Sequence, residues 1–160
     1  SKTMEAGAKY INPDIKFTSV MSGSWTDVAK GKEIGISMIS TNKADVIFSF
    51  ASGVDAGVRE ACQSADNVYF IAQPSESHDT APDITVTSII QSNEALIYHA
   101  METAANGTFK GGYYIAGFED GGTCSLGVFG DFFDADKQAK VNDVINKIKS
   151  GEIDCDSYAK

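Results

Sequence analysis

The sequence has few of the residues that build metal and catalytic sites. It contains two histidines, His78 and His99, and three cysteines. Neither histidine has a cysteine or a second histidine at metal-binding spacing, and no serine lies in a Gly-x-Ser-x-Gly turn. The cysteines, Cys62, Cys124 and Cys155, are odd in number and far apart, which argues against a disulfide framework and a zinc site. A single disulfide between Cys124 and Cys155 is the alternative. We therefore expect no metal, no cofactor and no enzymatic activity.

Positive charge is also scarce, since 13 Lys and Arg residues stand against 22 Asp and Glu residues and the net charge is -9. Nucleic-acid binding depends on clustered basic residues that displace counterions from phosphates, so we expect no nucleic-acid partner. No hydrophobic run approaches the length of a membrane span. The segment 51–57 has two glycines four apart, too few for a dinucleotide or Walker motif. The usual modes of nucleotide-phosphate binding are therefore not favoured.

What the chain does have is an alternation of strand-like and helix-like segments. The apolar run 44–50 leads through Ser52-Gly53 into a helical repeat that begins at Val54. Further strands are predicted over 15–21, 68–72 and 84–90. Helices are predicted after Asp27, over 92–107 and over 134–149, with a weakly started helix over 1–9. The segments 111–118 and 125–129 flank 119–122 and are predicted to form a hairpin or an irregular pair of edge strands. This order predicts a single α/β domain over 1–160, with a mainly parallel sheet and helices on both faces.

The junction at Ser52-Gly53 is the predicted ligand mouth. In open parallel sheets the carboxyl ends of the strands face the crevice. A glycine there would let backbone N–H groups at the start of the next helix approach a bound group. The polar loop 73–82 follows the next strand and is too long for a simple connector, so we expect it to carry function. His78, within this loop, is expected to be solvated.

Short phrases along the chain resemble those of one family, in the same order. They are EAGAK at 5–9, NPDI at 12–15, GSWTD at 23–27, AKGKE at 29–33, ADVIF at 44–48, AP at 81–82, TS at 87–88, FKGG at 109–112 and SGEI at 150–153. Together they resemble the basic membrane protein family of substrate-binding lipoproteins. Members of that family serve ABC importers, and the characterised ones bind purine nucleosides. The resemblance covers nearly the whole chain.

The resemblance implies a type I periplasmic binding fold, in which two Rossmann-like three-layer lobes close on a ligand across a hinge. It implies that this chain is the carboxyl-terminal lobe. The implied partners are a nucleoside-like ligand and an ABC transporter permease. The implied location is outside the cytoplasm, at the cell surface or in the periplasm, with a lipid anchor on the full-length protein. The segment 91–108 would pack on the first lobe, so we expect the exposed face of 92–105 to favour a homodimer here.

The resemblance also implies a set of ligand-binding residues. They are Trp25, Asp27, Ser52, Gly53, Val54, Gln73, Pro74 and Gln91. Trp25 is the aromatic residue that the family places against the nucleobase, where stacking uses the flat face and the apolar area of the base. Packing within the core or a loop is the alternative role for this only tryptophan.

Several of these positions depart from the family pattern. Ser52-Gly53-Val54-Asp55 stands where the family has Gly-Gly-Thr-Gly, which removes a hydroxyl and introduces a carboxylate. Ala72-Gln73-Pro74 replaces a Gly-Val-Asp phrase whose aspartate binds the ribose hydroxyls, and Gln91 replaces a lysine. We therefore expect either a ligand other than an ordinary purine nucleoside or contacts to the sugar from Gln73 and Gln91.

Two other functional classes stay open. The first is a ligand-sensing regulatory domain, because the same architecture recurs in transcriptional regulators and receptors and a fold does not fix a function. A lipid-attachment cysteine upstream would favour the importer component, and a helix-turn-helix segment would favour the regulator. An enzyme of flavodoxin-like shape is disfavoured because no catalytic set emerges from the sequence.

Overall fold

The computed structural model describes residues 2–114, 116–118 and 122–158. Its elements are α1 (Lys2–Ile11), α2 (Val28–Ser40), β1 (Val46–Phe48), α3 (Val54–Gln63), β2 (Tyr69–Ala72), β3 (Thr85–Gln91), α4 (Asn93–Ala105), β4 (Cys124–Leu126) and α5 (Ala135–Lys149), with 3-10 turns at His78–Thr80 and Cys155–Tyr158. None of the described helices is long and apolar enough to cross a membrane.

The sheet has the order β1-β2-β3-β4. The first three strands run parallel, with Val46 opposite Tyr69, and β4 runs antiparallel to β3, with Leu126 opposite Ile89. Helix α3 connects β1 to β2, whereas the loop 73–82 connects β2 to β3. The predicted mainly parallel α/β sheet is confirmed.

The main core lies where α3 packs on the first two strands. In β2, Phe70 and Ala72 are buried while the alternate residues Tyr69 and Ile71 are half-buried, as the two-residue period of a strand requires. The cluster consists of Ile47, Val54, Val58, Cys62, Val68, Phe70 and Ala72. Cys62 is the buried apolar residue that its helical spacing predicts. The structure contains no disulfide between Cys124 and Cys155.

Glycines bring α2 and α3 into close contact. Gly31 and Gly35 of α2 and Gly57 of α3 are all buried. A Cβ atom at Gly57 would lie 1.9 Å from the carbonyl oxygen of Val28, and one at Gly31 would lie 2.1 Å from that of Val54. The two helices therefore meet backbone to backbone, which lets α2 cover the outer side of α3.

Two sequence predictions of strands were wrong. Residues 15–21 form no strand; they lie irregular and mostly exposed, with Met21 at 90%. Their alternation suits a strand, but no described strand supplies the ladder hydrogen bonds that one needs. The described parts of 111–118 form no strand, and most of the predicted turn at 119–122 lies outside the described residues. By contrast, α4 contains no buried residue, as expected of a segment with an exposed face.

Candidate ligand-binding site

Three strands deliver their following residues to one edge of the sheet. Because β1, β2 and β3 are parallel, their carboxyl ends share that edge, which is where ligands bind in open α/β sheets. Phe50 and Ser52 follow β1, Gln73 and Pro74 follow β2, and Gln91 ends β3. The topology therefore gathers the positions that the sequence proposed from separate segments.

An exposed aromatic pair lies at this edge. The ring centroids of Trp25 and Phe50 are 6.3 Å apart and the rings meet edge to face at 85°. Trp25 is 63% exposed and Phe50 is 53% exposed, so neither ring belongs to the core. An edge-to-face contact is a favourable arrangement for two aromatic rings. The sequence analysis did not single out Phe50, whose signal was its place at the end of the apolar run.

The turn at Gly53 joins the Trp25 segment to the sheet. The Gly53 N–H donates to the carbonyl oxygen of Trp25 at 2.9 Å. A Cβ atom at Gly53 would lie 3.3 Å from the Cα of Thr26, so the glycine permits this close approach. The N–H groups of Val54 and Asp55 also donate to carbonyls within the turn. The expectation that these amides are available to a bound group was therefore wrong.

The side chains that follow Gly53 are buried. Val54 is 1% exposed and belongs to the core, so its place among the predicted ligand-binding residues is corrected. Asp55 is buried at 8% exposure. Its carboxylate accepts hydrogen bonds from the Ser49 hydroxyl and, at 2.7 Å, from the Ala51 N–H. Asp55 thus stabilises the turn between β1 and α3.

Asp27 caps α2. Its side chain accepts a hydrogen bond from the Lys30 N–H at 3.0 Å, and its backbone is extended, as an N-cap requires. The predicted capping role is thus confirmed, while a ligand contact from Asp27 stays a prediction.

The loop after β2 is fixed to β3 close to the site. The Gln73–Pro74 peptide bond is cis. The carbonyl oxygen of Pro74 accepts a hydrogen bond from the Gln91 N–H at 2.9 Å. Three of the residues proposed for ligand contact, from two separate segments, therefore lie together.

Glu76 is a residue that the sequence analysis missed. Its Oε1 accepts hydrogen bonds from the Ser77 N–H at 2.9 Å, the His78 N–H at 2.8 Å and the Ser88 hydroxyl at 2.8 Å, and its Oε2 accepts from the Val128 N–H at 2.7 Å. Partial burial raises the pKa of this carboxyl, but the hydrogen bonds outweigh burial and hold the pKa below its ordinary value. No local motif marks such a residue, because two of its donors lie far away in the chain.

The histidines are placed without a metal-binding role. The Nδ1 atom of His78 is buried and has no hydrogen-bond partner among the described residues, so the expectation of a solvated side chain was wrong. His99 stacks on Tyr114 with centroids 4.0 Å apart. Across the described part of the chain, no three His, Cys, Asp or Glu residues are grouped so as to hold a metal ion.

A large cavity has none of the candidate site residues in its lining. It has a volume of about 750 Å³ and lies between α1, β4 and α5, with Tyr10, Leu126 and Ile148 among its lining residues. Its lining is mostly apolar, and of its three charged residues, Lys140, Asp143 and Lys147, the last two pair with each other at 2.8 Å. Ligand sites need polar groups that converge on the ligand. We therefore attribute this cavity to incomplete packing of α5, which has no buried residue.

Comparison with known proteins identifies the family of this chain. The profile of the family described as "ABC transporter substrate-binding protein PnrA-like" matches residues 2–157. The chain belongs to this family, Bmp. Basic membrane protein C of Borreliella burgdorferi strain N40 is 31% identical over 151 residues, which are 93% of this chain and 43% of that protein. The ABC transporter nucleoside-binding protein BmpA of Lactococcus lactis is 25% identical over 165 residues, covering 93% of this chain and 45% of that protein.

Solved structures agree on the fold of this Bmp-family chain. A transcriptional activator of the comK gene from Bacillus halodurans aligns with a TM-score of 0.75 at 25% identity, over 88% of this chain and 48% of that one. An ABC transporter solute-binding protein from Conexibacter woesei aligns with a TM-score of 0.70 at 20% identity, over 94% of this chain and 50% of that one. The chain spans about half the length of the relatives it matches. The Rossmann-like α/β lobe is thereby confirmed.

Proposed function

We propose that this chain forms one lobe of the solute-binding component of an ABC importer and contributes half of a cleft for a nucleoside-like or other small polar-aromatic ligand. The observation that carries the proposal is the exposed Trp25–Phe50 pair at the carboxyl edge of a parallel sheet. A flat heteroaromatic ring stacks on such a surface. The Bmp family consists of substrate-binding proteins, which are in general not enzymes.

The polar side chains at the ends of β2 and β3 in the proposed site are uncharged. Gln73 and Gln91 offer amide groups, and Pro74 offers no side-chain hydrogen bond. Asp55 and Glu76 do carry carboxylates, but their oxygens accept hydrogen bonds within the protein. Neutral amides bind hydroxyls less strongly than carboxylates do. We therefore expect the ring of the ligand to contribute more to affinity than its sugar.

The remaining partners follow from the family. An importer component would dock on an ABC transporter permease outside the cytoplasm, with a lipid anchor on the full-length protein. The name of the Lactococcus relative, a nucleoside-binding protein, supports the ligand class. The outward face of α4 is apolar, with Ile97 at 59% and Met101 at 67% exposure. When this chain is alone, homodimerisation would bury that face.

Saturation-transfer NMR tests the ligand proposal, because it detects the weak binding expected of one lobe. Guanosine, inosine and free guanine would be compared on the wild-type chain. Trp25→Ala should weaken binding by about tenfold, Trp25→Phe by less, and Tyr98→Ala, which truncates an exposed ring on α4, should have no effect. Binding that survives Trp25→Ala unchanged, or tight binding that depends on ribose, would contradict the proposal.

A regulatory domain of the same fold is the second candidate. It is favoured by the aligned Bacillus halodurans structure, whose title names a transcriptional activator. The sequence of the complete gene separates the two candidates. A lipid-attachment cysteine near the start would support the importer component, whereas a helix-turn-helix segment would support the regulator.

A further inference from the structure

Glu76 connects three segments that are distant in the sequence. Its carboxylate accepts hydrogen bonds from its own loop through the Ser77 and His78 N–H groups, from β3 through Ser88, and from the chain after β4 through Val128. Ser88 is completely buried. An exposed glutamate is ordinarily solvated, so four protein donors at 2.7–2.9 Å mark a built contact.

The four hydrogen bonds are divided unequally between the carboxylate oxygens. Two carboxylate oxygens offer about four lone-pair positions. Oε1 accepts three of the hydrogen bonds and Oε2 accepts one. The protein itself therefore engages most of this carboxylate, two residues away from Pro74.

The surroundings of Glu76 are closely fitted. A Cβ atom at Gly127 would lie 2.1 Å from Oε2 of Glu76. The Gly127 N–H donates to the Ser88 carbonyl at 2.8 Å, and its own carbonyl accepts from the Thr87 hydroxyl at 3.2 Å. The glycine thus leaves room for the carboxylate against the end of the sheet.

Glu76 and Pro74 attach the same loop to the same strand. Pro74 does so through the Gln91 N–H, and Glu76 through Ser88. With both attachments, the segment 73–76 is held along β3. The positions of Gln73, Pro74 and Gln91 relative to one another then depend on both.

We propose that Glu76 is a positioning residue that holds the loop 73–82 on β3 and thereby sets the placement of Gln73, Pro74 and Gln91 at the ligand edge. The effect of Glu76 on ligand binding rests on the proposed function, whereas its effect on the loop can be tested without a ligand. In this role Glu76 acts through its neighbours.

Amide hydrogen exchange followed by NMR tests the proposal on the wild-type chain, Glu76→Gln and Gly127→Ala. Glu76→Gln turns one acceptor oxygen into a donor, while Gly127→Ala keeps the charge and displaces it. Both should speed exchange of the Gln91 and Val128 amides by about tenfold or more, since hydrogen bonds to charged groups are the stronger ones. The Phe70 amide, which donates to Ile84 in the core, should be unchanged. Glu33→Gln, an exposed glutamate on α2, is the matched control.

The outcomes separate the two proposals. Unchanged Gln91 exchange in both variants overturns the role of Glu76, whether or not a nucleoside binds. Equal acceleration at Phe70 also overturns it, because the effect is then global instability. If the wild-type chain binds none of the nucleosides while Gln91 exchange responds, the proposed ligand fails and the positioning role stands. Where a nucleoside does bind, Glu76→Gln should weaken it about threefold to tenfold, and unchanged affinity would refute the effect on the site.

Discussion

At the scale of single residues, Ser52 shows how the site is built with local strain. Its φ of +56° lies in the left-handed region, which costs a non-glycine residue about 1–2 kcal/mol. It stands in the tight turn between β1 and α3, where the family resemblance places a glycine. The strained turn also holds the segment that carries Trp25, through the hydrogen bond from Gly53.

Replacing Ser52 with glycine should therefore stabilise the protein. We expect the free energy of unfolding to rise by about 0.5–1 kcal/mol, because relief of the left-handed strain exceeds the entropy that glycine adds to the unfolded chain. Urea denaturation measures this. Ala51→Gly is the matched control, since Ala51 has no positive φ, and it should be destabilising. A loss of stability in Ser52→Gly would mean that the serine side chain makes a contribution larger than the strain.

Glu76 gives a residue-scale prediction for acid pH. Its folded-state pKa is lowered, because the hydrogen bonds of His78, Val128 and Ser88 outweigh the opposing effect of burial. A lowered pKa stabilises the folded state above the unfolded pKa, and that stabilisation disappears as the pH falls through the folded pKa. Glu76→Gln should thus be less stable than wild type at pH 7, and the difference should narrow by pH 3. A gap that stays constant in urea denaturation at both pH values would contradict this.

The pKa of the Cys62 thiol is raised, in contrast to the lowered pKa of Glu76. Burial raises the pKa of its thiol to about 11, against a smaller lowering by a backbone hydrogen bond. The reactive thiolate is therefore rare at pH 8. In the native protein Cys62 should resist Ellman's reagent while the exposed Cys155 reacts, and both should react in denaturant. Rapid native labelling of Cys62 in a Cys124→Ser, Cys155→Ser double variant would show that the core opens readily.

At the scale of elements, the contact between α2 and α3 depends on glycine. Gly57 approaches Val28 so closely that a methyl group has no room, and Gly31 approaches Val54 in the same way. The amphipathic spacing of Ile34, Met38 and Ile39 predicted that α2 forms and which side faces inward. The distance between the helices follows from the glycines instead.

Gly57→Ala should therefore destabilise the protein even though alanine favours helices. We expect a loss of at least about 2 kcal/mol, since the added methyl group would force the two backbones apart. Gly7→Ala is the matched control, because Gly7 lies in α1 with nothing within 4 Å of an added Cβ. That change should be neutral or stabilise by up to about 1 kcal/mol. Thermal or urea unfolding of the two variants decides, and equal effects would contradict the close contact.

At the scale of the whole molecule, the exposed apolar surface argues for a partner. Ile97, Tyr98 and Met101 on α4 are each more than half exposed, and Tyr113 is fully exposed. Isolated proteins seldom leave such residues together in water. The family resemblance implies that, in a complete two-lobe protein, the first lobe would cover α4. When the chain is alone, we expect a second copy to do so.

Native mass spectrometry should therefore show a dimer of the 17.0 kDa chain. Ile97→Lys should shift the population to monomer, because it places a charge in the proposed interface. Ile36→Lys is the matched control on α2, where Ile36 is 49% exposed, and it should leave the dimer intact. A monodisperse wild-type monomer at high concentration would refute self-association.

The sequence by itself determined the class of fold and most of its elements. Strand and helix periods are local properties, and a cap such as Asp27 acts within three residues, so these features were predictable from neighbouring residues. The ordered phrases also predicted the family, which the match over 2–157 confirms. The same local logic failed at 15–21, because a strand also needs a partner that the alternation does not supply.

The tertiary structure alone decided which of the proposed residues are exposed at the carboxyl edge of the sheet. Val54 and Asp55 lie beside Gly53 in sequence, yet both are buried, because the start of α3 packs against α2 and the turn after β1. Phe50 contacts Trp25. Glu76 accepts hydrogen bonds from Ser88, which is 12 residues away in the sequence, and from Val128, which is 52 residues away. Such contacts depend on the order and direction of the strands, which no short segment of the chain contains. The edge of the sheet is a property of the assembled strands, and so is the site on it.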